Sequence, residues 1–314
     1  MKIEKWIFPT ILMTMAGGIY GAFLKTAQNF FSNEFITDSL FIFGLLVLII
    51  INKERGEKFG LEKFGLLAGI AMGITQIFYT LSLGYTHNAG IPTAITRTQV
   101  LPTYMLSILL FNSKLNIKKL IGCLIVIGGA VLTGLESTKS KESMSSQKDN
   151  EKTKKNNIQN QGVLMIITAT LAGLFSSAND VFSKYSIDIV SNSQYLYNEF
   201  LGAAVSTIIL NRVFYSNKNQ KLSIKTMSRF KIINDYPAIS YSIVLLSNFF
   251  TLYFVGKAFK LADNIAYPRA VFEAGMVLLT TIIDLVLNKN TQLNSKEWIG
   301  IIITCIGAII TVLL

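Results

Sequence analysis

The sequence predicts an all-α membrane protein with ten transmembrane helices, arranged as two inverted five-helix repeats. Three observations predict it. The 314 residues are 51% hydrophobic and only 15% charged, with a mean hydropathy of +0.47, whereas an ordinary soluble chain carries about 25% charged residues. The apolar residues fall in separate runs long enough to span a bilayer as helices, and too long for barrel strands. The chain also repeats itself. With Tyr79 set over Tyr253, three segments follow in the same order in each half: an apolar helix, a second apolar helix carrying Gln99 or Glu273, and a glycine-spaced helix opening Leu120-Ile121-Gly122 or Trp298-Ile299-Gly300. Repeated helix order in an apolar chain is typical of secondary transporters.

The elements follow in order. Met1–Trp6 is a short tail with Lys2 and Lys5. Ile7–Lys25 is read as an uncleaved first span, because it exceeds a signal-peptide core and further spans follow. Phe35–Ile51 is the second span, and Lys53, Arg55, Lys58 and Lys63 mark the loop after it. Phe64–Gly84 is the third, and His87–Gly90 is a tight connection. Ile91–Phe111 is the fourth, with Pro92 in its first turn, where proline is tolerated. Ile117–Leu135 is the fifth and closes a first repeat, residues 1–135. Residues 136–161 are rich in Ser, Lys, Asn and Gln without an apolar period, which predicts a flexible polar linker.

The second repeat, residues 162–314, holds the other spans. These are Val163–Phe182, Tyr195–Val213, Ala238–Lys257, Ile265–Leu287 and Trp298–Leu314. Between the seventh and eighth lies a basic loop, Tyr215–Tyr236. There Leu222, Ile224, Met227 and Phe230 recur at near-helical spacing, so a short surface helix and a plain loop are both open. Basic residues of the first half place the N-terminus in the cytoplasm, while those of the second half point the other way. An odd number of spans per repeat makes the halves inverted copies.

Charge and chemistry exclude several classes. The net charge is +11, but the lysines sit in the breaks between apolar runs, as in membrane loops, and not in a stripe with aromatics. Nucleic acid is therefore not an expected partner. Cys123 and Cys305 lie inside apolar helices without CxxC spacing, and His87 is the single histidine. No zinc site, Ser-His-Asp set or HExxH pattern can be built, so neither an enzyme nor a cofactor is expected.

Intramembrane charge is costly and marks function or pairing. The sixth span carries Asn179, Asp180 and Lys184; Asp180 and Lys184 are four apart, and read either as a substrate or proton site or as a structural pair. The ninth carries Arg269 and Glu273, also four apart; the fourth carries Arg97 and Gln99, the latter the repeat partner of Glu273. Matching polar groups in inverted repeats can converge on one cavity, so these four form the leading candidate site. Plain mutual neutralisation of Arg269 and Glu273 stays open. Asn198 and Glu199 start the seventh span, where Glu199 reads as interfacial. Gln76, Tyr79 and Tyr20 are placed to line the same cavity, although aromatics on helix faces usually pack. Gly17, Gly18, Gly21, Gly128 and Gly129 allow close helix contact.

Specific motifs carry a family resemblance. Each half closes with a helix holding a leading glycine and a later pair: Gly122 with Gly128-Gly129, and Gly300 with Gly307-Ala308. The fourth span has a Leu101-Pro102 step. The first span ends Phe23-Leu24-Lys25, and the sixth ends Phe182-Ser183-Lys184. With the five-plus-five helices, the chain resembles the EamA-like branch of the drug/metabolite transporter superfamily over nearly its whole length. It departs from the family at Ser113 and Thr291, where many members have a glutamate, and near Thr280, where the second proline is missing.

The resemblance implies a multi-pass carrier, most simply of the cell membrane, for a small polar metabolite such as an amino acid-like compound, a sugar or a nucleotide derivative. Alternating access is the implied mechanism, and Lys25 joins the candidate site. Expected partners are the small-molecule substrate, a proton as candidate coupling ion, and the lipid bilayer; a homodimer is left open. Asp180 and Glu273 are the candidate proton acceptors. The alternative is a non-transporting receptor, scaffold or partner subunit.

Overall fold

The computed structural model describes residues 5–55, 59–86, 88–111, 117–144, 151–214, 230–262, 264–288 and 293–313. His87, Ser113 and Thr291 lie outside them, as does the loop segment with Leu222, Ile224 and Met227. Every regular element among the described residues is helical. They are α1 (Ile7–Ala27), α2 (Asn33–Arg55), α3 (Lys63–Gly84), α4 (Gly90–Thr96), α5 (Val100–Phe111), α6 (Ile117–Met144), α7 (Glu151–Ile189), α8 (Asn192–Phe214), α9 (Lys231–Asp235), α10 (Pro237–Leu261), α11 (Ala266–Leu287) and α12 (Ser295–Leu313).

Six of these helices contain a stretch long and apolar enough to cross a membrane: α1, α2, α3, α7, α10 and α11. Two of the other expected spans, the fourth and the seventh, depart for identifiable reasons. The fourth is cut into α4 and α5 by a 3-10 turn at Arg97–Gln99. Pro102 causes the cut: its ring clashes with the carbonyl four residues back, at Thr98, and it has no N–H to donate there. The expected fifth span, Ile117–Leu135, lies within α6, and the expected tenth falls on α12. The seventh, α8, carries Asn198, Glu199, Asn211 and Arg212.

The expected linker is helical where it is described. α6 runs on to Met144 and α7 begins at Glu151. Residues rich in Lys, Glu and Gln extend a helix readily once a packed span has supplied its costly nucleus. Residues 145–150 are outside the described set.

The packing turns an ordinary fold inside out. Leu46, Ile50, Leu109, Leu124, Ile209 and Ile302 are exposed, while Arg97, Gln99, Asp180, Glu199, Arg269 and Glu273 are buried. That is the distribution of a multi-pass integral membrane protein, whose solvent is lipid. α1 packs on α10 and α11, α7 packs on α3 and the α4–α5 span, and α6 packs along α12. An aromatic core with Phe41, Phe200, Phe249 and Phe259 fills the space between α2, α8 and α10.

The α6–α12 crossing needs glycine. A methyl group on Gly129 would lie 2.5 Å from the Thr304 nitrogen and 2.7 Å from the Gly300 oxygen. One on Gly307 would lie 2.6 Å from the Val126 nitrogen and 2.8 Å from the Gly122 oxygen. The two sets of contacts exchange when α6 and α12 are exchanged. Gly129 is thus the counterpart of Gly307, whereas Gly128 meets nothing within 4 Å. Gly129→Val is expected to cost about 1–3 kcal/mol through overpacking and to lower the melting temperature in detergent. Gly128→Val should leave it unchanged, and equal effects of the two would refute this assignment of the crossing.

Candidate functional site

The break in the fourth span sets the site. Arg97 and Gln99 belong to the 3-10 turn, and both are buried. Across from them, α11 runs unbroken and presents Arg269, Phe272, Glu273 and Met276 over two helical turns. One Arg97 Nη pairs with Glu273, and Gln99 donates to the same carboxylate. The second Arg97 Nη donates to Met276 Sδ at 3.0 Å. Arg269 Nε lies 2.7 Å from Glu273 Oε1 and 3.1 Å from Asp180 Oδ2 of α7. Arg269 Nη2 donates to Ser176 Oγ at 2.6 Å, and Thr103 of α5 donates to Asp180 Oδ2 at 3.2 Å.

The result is an alternating row, Arg97–Glu273–Arg269–Asp180, with its charges balanced. The Phe272 ring sits near both cations, 5.5 Å from Arg97 Cζ and 5.2 Å from Arg269 Cζ. Pairing and ring contacts offset part of the large penalty of burying these charges.

Beside the row is a cavity enclosing about 560 Å³ of space free of protein atoms, its open mouth included. Arg97 and Arg269 line it, with Tyr20, Gln76, Tyr79 and Asn248. Its walls come from α1, α3 and α4 of the first half and from α7, α10 and α11 of the second. Met72, Leu252 and Val255 supply apolar wall. Gln76 Nε2 donates to Thr80 Oγ1 at 2.9 Å, and the Tyr79 hydroxyl bonds Thr93 Oγ1 at 2.8 Å. Arg97 Nε and Asn248 Nδ2 are buried without a hydrogen-bond partner.

Several expectations need correction. Glu273 and Gln99 stand behind the guanidinium groups and are not part of the cavity wall. Asp180 does not pair with Lys184. Arg269 reaches Asp180 from a neighbouring helix, and Lys184 bonds Asp188 at 2.9 Å towards the more exposed end of α7. Lys184 is therefore no part of the cluster. Lys25 is also away from the cavity; it is fully buried, donates to the Leu83 oxygen at 2.6 Å and acts electrostatically on Asp284. Asn179 faces α3 and α8, donating to the Ala68 oxygen at 3.0 Å and to Glu199 Oε1 at 2.8 Å. Glu199 is not interfacial but completely buried.

Two further residues belong to this region, and the sequence signals only the first of them. Asp284 is a charge inside the ninth span, and the rule that flagged Glu273 applies equally to it. It accepts the Ala89 N–H at 2.9 Å and so fixes the start of α4. Asn248 carries no charge, and a lone amide in an apolar helix gives little signal.

Buried charge around a central cavity, inside a shell of lipid-facing helices, defines a multi-pass integral membrane protein. Residues 4–135 match the model of the EamA-like transporter family. No curated protein matches the chain in sequence. A solved structure described only as "Crystal structure of protein" is similar over 98% of both chains, with a TM-score of 0.62 and 14% identity. At that identity the likeness shows the fold alone.

Proposed function

We propose that the protein is a ten-span carrier of the cell membrane, built from two inverted repeats, that moves a small polar metabolite by alternating access. The repeats are residues 1–135 and 162–314, joined through 136–161. The exchange-related contacts of α6 and α12 support the inversion, as does the matched packing of α1 on α10 and of α7 on α3.

One observation carries the choice of site: each half contributes a buried arginine to the same cavity wall. Arg97 has an Nε without a partner, and one of its other nitrogens meets only a thioether, a weak acceptor. Unused guanidinium donors favour a carboxylate, which they bind in a fixed fork geometry. The substrate is accordingly an amino acid-like metabolite, its carboxylate on the arginines and its apolar part against Met72, Leu252 and Val255. The carboxylates behind the arginines hold them without competing for the cavity.

A panel of amino acids, sugars and nucleotide derivatives tests this by thermal shift on purified protein, then by uptake into sealed proteoliposomes. The expected result is stabilisation by carboxylate-bearing compounds and uptake of the same compounds. Binding without uptake would establish the receptor or scaffold alternative instead. Stabilisation only by sugars lacking a carboxylate would overturn the assignment of the arginines.

A further inference from the structure

Glu199 stands outside the balanced row of charges. Arg97 and Arg269 are matched by Glu273 and Asp180. Glu199 is completely buried and makes no ion pair with any described residue. We infer that Glu199 is a proton-binding site, linked to the central cavity through Asn179, Asp180 and Arg269.

The surroundings fit a neutral acid. Asn179 Nδ2 donates to Glu199 Oε1 at 2.8 Å. Oε2 makes no hydrogen bond of normal geometry, and the Tyr195 hydroxyl faces the carboxyl from one turn away. Tyr195 donates its own proton to Ser183 Oγ at 2.9 Å. With that proton given to Ser183, the Tyr195 oxygen can accept from a protonated Glu199. On the α3 side the backbones close up, Gly69 against the Glu199 carbonyl and Gly202 against Leu66. Ala68 of α3 gives its carbonyl to Asn179, and Phe41 of α2 meets Phe200, the residue after Glu199. The charged groups that act on Glu199 are Asp180 of α7 and Arg269 of α11, with Tyr195 on its own helix. A bare carboxylate in such a place costs far more than a neutral acid.

The link to the cavity is electrostatic. A substrate carboxylate on Arg269 weakens the hold of that cation on Asp180. Asp180 then repels charge on Glu199 more strongly, which favours the proton there. By reciprocity, a protonated Glu199 favours the bound anion. The step is simple to balance: Glu199 takes a proton from water and returns it to water, with no other bond changed. The coupling rests on the carrier reading, but the proton site does not.

The test is therefore read first without substrate. Infrared spectra of the purified protein at neutral pH should show a protonated-carboxyl band that shifts in D2O and is reduced in Glu199→Gln. Glutamine copies the neutral acid, so this variant should fold and match the wild-type melting temperature at low pH. Any fall in wild-type melting temperature on raising the pH should be smaller in the variant, which has no proton to lose at this position. An unchanged band in Glu199→Gln would overturn the proposal, and so would a variant that fails to fold or melts well below wild type at every pH. In vesicles, the variant should keep substrate exchange and lose accumulation driven by a pH gradient. Unimpaired gradient-driven accumulation would overturn the coupling. A wild type that transports nothing would count against the carrier alone, with the infrared band still deciding the proton site.

Discussion

Glu273→Gln is expected to lose about 3–5 kcal/mol of stability, the usual cost of stripping one partner from a buried ion pair, and to fall sharply in yield. Glu273 is fully buried and serves two cations, Arg97 and Arg269. The two do not suffer equally when it is neutralised. Arg269 keeps Asp180 at 3.1 Å and Ser176 at 2.6 Å. Arg97 loses its single ion pair among the described residues and retains Met276 and the Phe272 ring. The rescue should therefore come from Arg97. The double variant Glu273→Gln/Arg97→Gln should recover most of the lost melting temperature. Glu273→Gln/Arg269→Gln should recover little, because it leaves Arg97 unpaired and strips Asp180 as well. Melting curves of wild type, both single arginine variants and both double variants decide this. Equal rescue by either arginine would show that the row acts as one diffuse cluster and not as the ordered chain of pairs described above.

Much of this arrangement was legible in the chain. The first span was read as Ile7–Lys25 and the helix is Ile7–Ala27; the third was read as Phe64–Gly84 and the helix is Lys63–Gly84. A bilayer fixes the length of an apolar run, so the edges show. Repeat alignment put Gln99 opposite Glu273, and they do meet. What sequence spacing cannot show is the partner on another helix. Asp180 and Lys184 share a helix at a good spacing, yet Asp180 goes to Arg269, because α11 packs a cation closer and Lys184 reaches out to Asp188. Glu199 looked interfacial from its place near the start of α8, but the close approach of α3 through Gly69 and Gly202 buries it. The split between cavity wall and backing layer was also hidden. It depends on the 3-10 turn at Arg97–Gln99, whose cause, Pro102, was visible but whose direction was not.

Arg97→Gln should weaken binding of a carboxylate-bearing ligand by about thirtyfold or more, taking about 2 kcal/mol as the lower figure for truncating one partner of a buried charged hydrogen bond. The fold should survive better than in Glu273→Gln, because Glu273 keeps Arg269 at 2.7 Å and the Gln99 amide. Arg97→Lys is the sharper variant. It preserves the charge opposite Glu273, so melting temperature should stay close to wild type. A lysine cannot, however, reach Glu273 and present a planar fork to a ligand at once. Binding should therefore drop in Arg97→Lys while stability does not. The measurement is the ligand concentration for half-maximal thermal stabilisation, taken with the amino acid that shifts the wild type most. If Arg97 serves only to neutralise Glu273, the lysine variant should bind as the wild type does, and the carboxylate would have to sit on Arg269 alone. If Arg97 holds the substrate, half-saturation moves up in both variants, while the loss of stability is confined to the glutamine.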